Sequence, residues 1–153
     1  MTLSELLIKV PELENYLRYM PEELKTRCTI KTYPPKTIIH QKDAELNYFG
    51  IVCEGYHRVI NEFENGNVFM IERNDPIDFV GEVAILAGKS RISVTIETTT
   101  DCTVLYFPRK DFDSCVIRRT REEIHEETGI SVKTLNRTIR KLKESGMVGI
   151  TIP

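Results

Sequence analysis

Apolar residues recur at helical spacing in the first 27 residues of the chain. They stand mostly three or four positions apart, at Leu3, Leu6, Leu7, Val10, Leu13, Tyr16, Leu17 and Met20. Pro11 and Pro21 interrupt this pattern, because proline lacks the N–H that a helix interior requires. The pattern therefore predicts a series of short helices from Met1 to about Arg27.

Short β-type runs replace the helical pattern between Thr29 and Phe112. The predicted strands are Ile38–His40, Tyr48–Cys53, His57–Phe63, Val68–Glu72, Ser93–Thr98 and Thr103–Phe107. Turn sequences separate them, and Asn65-Gly66 between alternating apolar residues is typical of a β-hairpin. Several short strands at regular spacing predict an antiparallel sandwich or barrel.

A second helical pattern occupies the C-terminal part of the chain. Thr120 and Glu123 form a capping box, and Ser131 can cap a second helix over Val132–Ser145. Gly146 suits the end of that helix. A shared apolar seam runs through Ile124, Ile130, Leu135, Ile139 and Leu142. The pattern predicts a short helix, a glycine turn and a longer helix.

Composition and charge narrow the class of protein. Charged residues make up 29% and hydrophobic residues 41% of the 153 residues, as in an ordinary globular chain. The net charge is −2, but from Ile117 onward eight cationic residues outnumber five acidic ones, a balance of +3 that leaves −5 for the rest. An acidic body with a basic tail favours a tail that binds a polyanion. No run resembles a membrane span or a signal peptide, so we expect a cytoplasmic protein with no membrane partner.

Cysteine and histidine are scattered rather than clustered. The cysteines Cys28, Cys53, Cys102 and Cys115 have no close pair, and the histidines His40, His57 and His125 are equally isolated. Zinc and iron–sulfur sites need clustered ligands, and no nucleophile stands beside a base. We therefore expect no metal site, no catalytic residues and no enzymatic activity.

A candidate anion site lies in the segment from Phe79 to Arg91. Arg91 can offer a planar fork of donors to phosphate oxygens, and Glu82, nine residues earlier, can accept a hydrogen bond from a sugar hydroxyl. The N–H groups around Gly81 allow close approach because glycine has no side chain. The segment predicts a tight turn flanked by β-type sequence. The alternative is a Glu82–Arg91 ion pair that closes a hairpin.

The order of these motifs resembles one protein family. The matching stretches are Tyr33–Gln41, Tyr48–Gly55, Asn65-Gly66, Phe79–Arg91 and Asp101–Leu105. They are similar to the β-roll and phosphate-binding cassette of the cAMP receptor protein superfamily, the catabolite activator and fumarate-nitrate regulator group. The resemblance implies an α+β fold, with an antiparallel β-roll (a double-stranded jelly roll) after N-terminal helices. It also implies a small anionic effector, such as a cyclic nucleotide similar to cAMP, at Gly81, Glu82, Val83, Arg91, Ile92 and Ser93.

The C-terminal pattern resembles the helix-turn-helix of the same superfamily, whose second helix enters the DNA major groove. The resemblance implies that base edges are met by Val132, Lys133, Asn136 and Arg137, and phosphates by Ser131 and Thr134. Met147–Ile150 looks like the first strand of a wing. The alternative is a helical hairpin with a charged outer face.

Two domains follow from the resemblance. They are a cyclic-nucleotide-binding-like effector domain over residues 1–115 and a small winged helix-turn-helix domain over residues 118–153. The dimerisation helix of the superfamily has no counterpart between them, since the eight residues from Phe112 to Thr120 span at most about 28 Å. Paired recognition helices stand about 34 Å apart. We expect the complete protein to have further residues between Asp113 and Thr120 and after Pro153, and to form a homodimer.

The sequence thus predicts a transcription regulator whose β-roll senses a small anionic effector and whose tail binds double-stranded DNA. The resemblance admits RNA polymerase as a further partner. The alternative is a small-molecule or cyclic-nucleotide-binding module without DNA binding, in which the tail contacts another protein.

Overall fold

The N-terminal residues form short helices. The computed structural model describes residues 1–18, 20–113 and 132–144. It begins with α1 (Leu3–Lys9), a 3-10 turn (Pro11–Leu13), α2 (Glu14–Leu17) and α3 (Glu22–Thr26). The Thr2 hydroxyl accepts a hydrogen bond from the Glu5 N–H and the Glu5 carboxylate accepts one from the Thr2 N–H, which is a capping box. The predicted series of short helices is confirmed.

Eight strands follow and form two antiparallel four-stranded sheets. The first sheet has the order β1-β8-β3-β6, and its strands are β1 (Thr29–Tyr33), β8 (Cys102–Pro108), β3 (Tyr48–Glu54) and β6 (Asp78–Val80). The second has the order β2-β7-β4-β5, and its strands are β2 (Ile38–His40), β7 (Thr95–Thr98), β4 (His57–Glu62) and β5 (Val68–Asn74). The predicted antiparallel β-roll with N-terminal helices is therefore confirmed.

The hydrophobic core lies on both faces of the first sheet. Leu6, Leu13 and Leu17 from the helices pack with one set of strand residues, Phe49, Ile51, Cys53, Leu105 and Phe107. The alternate strand residues face the second sheet and pack with Ile96, and they are Val52, Val80, Val104 and Tyr106. Because both faces are covered, β3 and β8 are buried almost throughout.

Several local predictions are confirmed and others need correction. Gly66 closes the β4–β5 hairpin with φ +82°, as the Asn-Gly pair predicted. The sequence pattern did not single out β1 or β6 as strands. The predicted tight turn between Phe79 and Arg91 is instead the short helix α4 (Glu82–Leu86), and Gly88, two residues after the helix, has φ +65°.

Two more helices complete the part of the chain that the structure describes. They are α5 (Arg109–Asp113) and α6 (Val132–Glu144), and α6 confirms the predicted longer helix of the tail. The first helix of the predicted helix-turn-helix, its turn, Ser131, the wing strand and the expected seam between Asp113 and Thr120 lie outside the described residues. No helix among the described residues is both long and apolar enough to cross a membrane.

Candidate functional site

A cavity of about 150 Å³ lies against β4, β5 and β7 of the second sheet, beside β6 and α4. Four of its residues belong to the sequence-predicted ligand site, namely Gly81, Glu82, Val83 and Ile92. The other lining residues are His57, Val59, Glu72, Asn74, Asp78, Phe79, Ala84, Val94, Ile96 and Lys141. A larger groove of about 450 Å³ lies between Lys9 and Asp101, but none of the predicted site residues lines it.

Gly81 sets the direction of the chain at the cavity. Its φ of +91° and ψ of −6° are in the left-handed region, which favours glycine. A Cβ at this position would lie 3.1 Å from both terminal methyl groups of Leu46 and 3.3 Å from the carbonyl oxygen of Tyr48. The chain therefore turns sharply at Gly81 and starts α4 with Glu82 at the cavity wall.

Glu82 has a higher pKa than an ordinary carboxyl group. Burial, followed by the negative charge of Asp78, raises the pKa of Glu82 to about 7. Near neutral pH the group thus exists in both forms. It can accept a hydrogen bond as a carboxylate or donate one as an acid.

A buried pair lies next to Glu82. The Nε2 atom of His57 is 3.0 Å from Oδ2 of Asp78, and the His57 side chain is 1% exposed. The other ring nitrogen, Nδ1, has no hydrogen-bond partner among the described residues. An unsatisfied buried nitrogen is costly to leave in a folded protein. The sequence pattern did not single out either residue, although polar side chains within predominantly apolar β-type runs were the available signal.

Arg91 lies away from the cavity. Its side chain is exposed and its Nη1 donates a hydrogen bond to the backbone carbonyl of Asp43. The backbone of Arg91 forms an isolated antiparallel bridge with Glu45. Arg91 and the exposed Ser93 are not among the described residues that line the cavity. The structure thus brings Glu82 to the cavity without its predicted partner.

Helix α6 packs beside α4, and it contributes one cation to the cavity. The Nζ atom of Lys141 lies 3.2 Å from Oε2 of Glu72, and Nη2 of Arg137 lies 3.7 Å from Oδ1 of Asp78. Of the predicted DNA contacts on α6, Lys133, Asn136 and Arg137 are exposed and Thr134 is half-buried, while Val132 is its first residue. Neither Lys141 nor Glu72 was predicted at this site from the sequence.

Potential metal ligands are not clustered in the part of the chain that the structure describes. Within residues 1–18, 20–113 and 132–144, no three His, Cys, Asp or Glu side chains are grouped so as to hold a metal ion. The cavity combines three carboxyl groups, one imidazole and one ammonium group. This arrangement suits recognition of a small polar ligand.

Comparison with known proteins agrees with the fold. Residues 30–119 match the family model of the cyclic nucleotide-binding domain. No curated protein matches the chain.

Solved structures are similar in fold at low sequence identity. The sensor domain of the transcriptional regulator DNR from Pseudomonas aeruginosa matches with a TM-score of 0.65 at 10% identity, over 99% of each chain. A transcriptional regulator from Thermotoga maritima matches with a TM-score of 0.58 at 16% identity, over 83% of this chain and 89% of that one. The regulatory subunit of a cAMP-independent protein kinase A from Trypanosoma brucei matches with a TM-score of 0.63 at 18% identity, over 89% of this chain and 47% of that one.

Proposed function

The chain belongs to the cyclic nucleotide-binding domain family, and we propose that it is a transcription regulator that binds a small anionic effector in the cavity beside α4. The effector is of the cyclic-nucleotide kind, and the tail binds double-stranded DNA. The observation that carries the proposal is the position of Glu82, which the left-handed Gly81 presents at the cavity wall.

Ligand binding uses both ends of the segment from Gly81 to Ser93. Glu82 accepts a hydrogen bond from a ribose hydroxyl, and Val83 and Ile92 contact the ligand beside it. Arg91 reaches the phosphate only after its guanidinium leaves the Asp43 carbonyl. This exchange is favourable because a phosphate carries a negative charge and can accept two parallel hydrogen bonds from a guanidinium, whereas a carbonyl is neutral.

DNA binding is assigned to α6 and the residue before it. Lys133, Asn136 and Arg137 are exposed polar residues on a 13-residue helix, which is long enough to lie in a major groove. Ser131, Val132 and Thr134 complete the proposed contact set. The transcriptional regulator from Thermotoga maritima among the similar structures supports this assignment.

Effector and DNA binding are linked in this proposal. An effector that prefers one arrangement of a homodimer shifts the population towards it and so changes DNA affinity. RNA polymerase is a further partner in this scheme, and the cytoplasm is the proposed location.

A second function is favoured by one observation. Arg137 and Lys141 contact acidic residues of the β-roll, so the cations of α6 can have an internal role. The chain is then an effector-binding module without DNA binding.

Calorimetric titration of the full chain with cAMP and cGMP tests the effector site. We expect heat of binding for the native chain, and a loss of at least tenfold in affinity for Arg91→Ala. Lys89→Ala, at an exposed position two residues away, is the matched control and retains affinity. Absence of heat with both nucleotides contradicts a cyclic-nucleotide effector.

Fluorescence anisotropy with random-sequence and promoter-library DNA separates the two functions. We expect Lys133→Ala and Arg137→Ala to weaken DNA binding by about 1–3 kcal/mol each if they meet base edges. Lys110→Ala, at an exposed position on α5, is the control. Equal DNA binding by all three variants and the native chain favours the module without DNA binding.

A further inference from the structure

One face of α6 forms ion pairs with β5 and β6, two strands that line the cavity. Arg137 and Lys141 are four residues apart and therefore lie on the same side of the helix. Arg137 contacts Asp78 at the start of β6, and Lys141 contacts Glu72 near the end of β5. Two ion pairs, one helical turn apart, thus connect α6 to the strands beside the cavity.

The cavity is small while α6 holds this position. Its volume is about 150 Å³, and Lys141 forms part of its wall. Pockets for drug-sized ligands and cofactors usually measure about 300–1,000 Å³. A nucleotide-sized ligand therefore does not fit until α6 moves.

Charge explains why α6 occupies this site. Glu72, Asp78 and Glu82 place three carboxyl groups at the cavity, and the crowding of Asp78 and Glu82 contributes to the raised pKa of Glu82. Arg137 and Lys141 offset this negative potential. Hydroxyl and amino groups of a ligand can donate hydrogen bonds to these carboxyl groups once the helix leaves.

We propose that α6 is a tethered competitor for the effector cavity, and that a nucleotide-sized ligand displaces it and releases its cationic face for DNA. This rests on the proposed function, because it assigns both ligand and DNA binding to this chain. Arg137 is the residue that both states need. It cannot pair with Asp78 and with DNA at the same time.

The coupling between effector binding and DNA binding is modest in size. The side chains of Arg137 and Lys141 are 45% and 38% exposed, so solvent screens both pairs. Because partly exposed ion pairs contribute little to stability, each pair holds α6 in place only weakly. Loss of both pairs therefore changes the affinity for the effector by about threefold to tenfold. Effector binding strengthens DNA binding by that factor, and DNA strengthens effector binding equally.

Calorimetry with cAMP on helix variants of the full chain tests the competition. We expect Lys141→Ala and Arg137→Ala each to bind cAMP about twofold to threefold more tightly than the native chain, and the double variant to bind it about threefold to tenfold more tightly. Arg140→Ala, at an exposed position on the same helix, is the matched control and leaves affinity unchanged. Unchanged affinity in Lys141→Ala, or weaker binding that shows a direct contact with the ligand, overturns the proposal.

A second test changes the acidic partner of Lys141 and measures the affinity of the chain for DNA. Glu72→Gln removes the partner of Lys141 and leaves all the proposed DNA contacts intact. We expect its DNA affinity without ligand to rise about threefold, and the further gain on adding cAMP to shrink. Glu64→Gln, at an exposed position in the β4–β5 hairpin, is the control. Equal DNA affinity of Glu72→Gln and the native chain overturns the proposal.

Amide hydrogen exchange tests the contact of α6 with the strands without requiring that the chain bind cAMP or DNA. If no variant binds cAMP or DNA, the proposed function fails, and the contact of α6 with the strands is still measured. We expect faster amide exchange in β5 and β6 for the Arg137→Ala/Lys141→Ala chain than for Arg140→Ala. Identical exchange in the two chains overturns the competition as well.

Discussion

The Nε2 atom of His57 lies 3.0 Å from Oδ2 of Asp78, and this contact joins the first residue of β4 to the first residue of β6. The two strands belong to different sheets. Asp78 also contributes to the raised pKa of Glu82 and contacts Arg137. One carboxylate thus connects the two sheets, the predicted ligand residue and helix α6.

Removing the charge of Asp78 lowers the pKa of Glu82. We expect Asp78→Asn to bring it below about 7 but not to the ordinary value of 4.5, because burial is the larger cause of the shift. Titration of the side-chain carboxyl carbons by NMR measures this change. Asp75→Asn, at an exposed position in the same segment, is the control. A pKa of Glu82 that stays near 7 in Asp78→Asn contradicts the assigned contribution of Asp78.

The raised pKa of Glu82 makes stability depend on pH. The folded protein holds this proton more tightly than the unfolded chain, so its contribution is fully present below pH 4.5 and is lost as pH rises through about 7. We expect Glu82→Gln to be more stable than the native chain by about 1–3 kcal/mol at pH 8, and this difference to shrink towards pH 4.5. Urea unfolding followed by circular dichroism at several pH values measures it. A difference that does not vary with pH counts against this account.

Effector affinity depends on the same group. If the carboxylate form of Glu82 accepts the ribose hydroxyl, cAMP affinity increases as pH rises from about 6 to 8, since Glu82 loses its proton in that interval. We expect up to about a tenfold increase per pH unit below the pKa. Calorimetry at each pH measures the trend, and Glu82→Gln has none.

Alanine at Gly81 is more damaging than alanine at Gly88. Both glycines have positive φ, but only at position 81 does a Cβ meet neighbouring atoms, since nothing lies within 4 Å of the corresponding Cβ at position 88. We expect Gly88→Ala to cost about 1 kcal/mol for the backbone alone and Gly81→Ala to cost about 1–3 kcal/mol more. Urea unfolding of both variants measures the difference. Equal losses would show that the contact with Leu46 is unimportant.

The N-terminal helices contribute to the core of the β-roll. Leu13 is 0% exposed and packs in the cluster that contains Phe107, whereas Ile8 is 81% exposed. We expect Leu13→Ala to lower the free energy of unfolding by about 2–5 kcal/mol and Ile8→Ala to change it by less than 0.5 kcal/mol. Chemical unfolding measures both. A small effect of Leu13→Ala would mean that these helices do not stabilise the sheet.

Strands were predictable where local pattern and turn residues agree. The hairpin around Gly66 is an example, because alternation along β4 and β5 and the Asn-Gly turn act over a few residues. β6 was not predicted, since its three residues, Asp78–Val80, are held by pairing with β3 about 28 positions earlier in the chain. The short helix α4 escaped detection because five residues are too few for a helical period.

The candidate site was only partly predictable. Gly81 and Glu82 lie at the cavity as the sequence motif indicated, because the left-handed turn that places them is local. Arg91 has the expected residue type, but its side chain takes a backbone carbonyl of Asp43 as its partner. His57, Glu72, Asp78 and Lys141 come from four separate elements, and no spacing in the sequence relates them.

By itself the sequence determined the N-terminal helices, six of the eight strands that the structure describes, the hairpin turn and the Gly81-Glu82 pair, because these depend on side-chain periodicity and on backbone conformations available to glycine. Only the tertiary structure decided that Asp78 lies beside His57 and Glu82, that Arg91 faces Asp43, and that Arg137 and Lys141 of α6 contact the cavity strands. Those relationships arise from the packing of two sheets and from long-range charge, which bring together residues far apart in the chain.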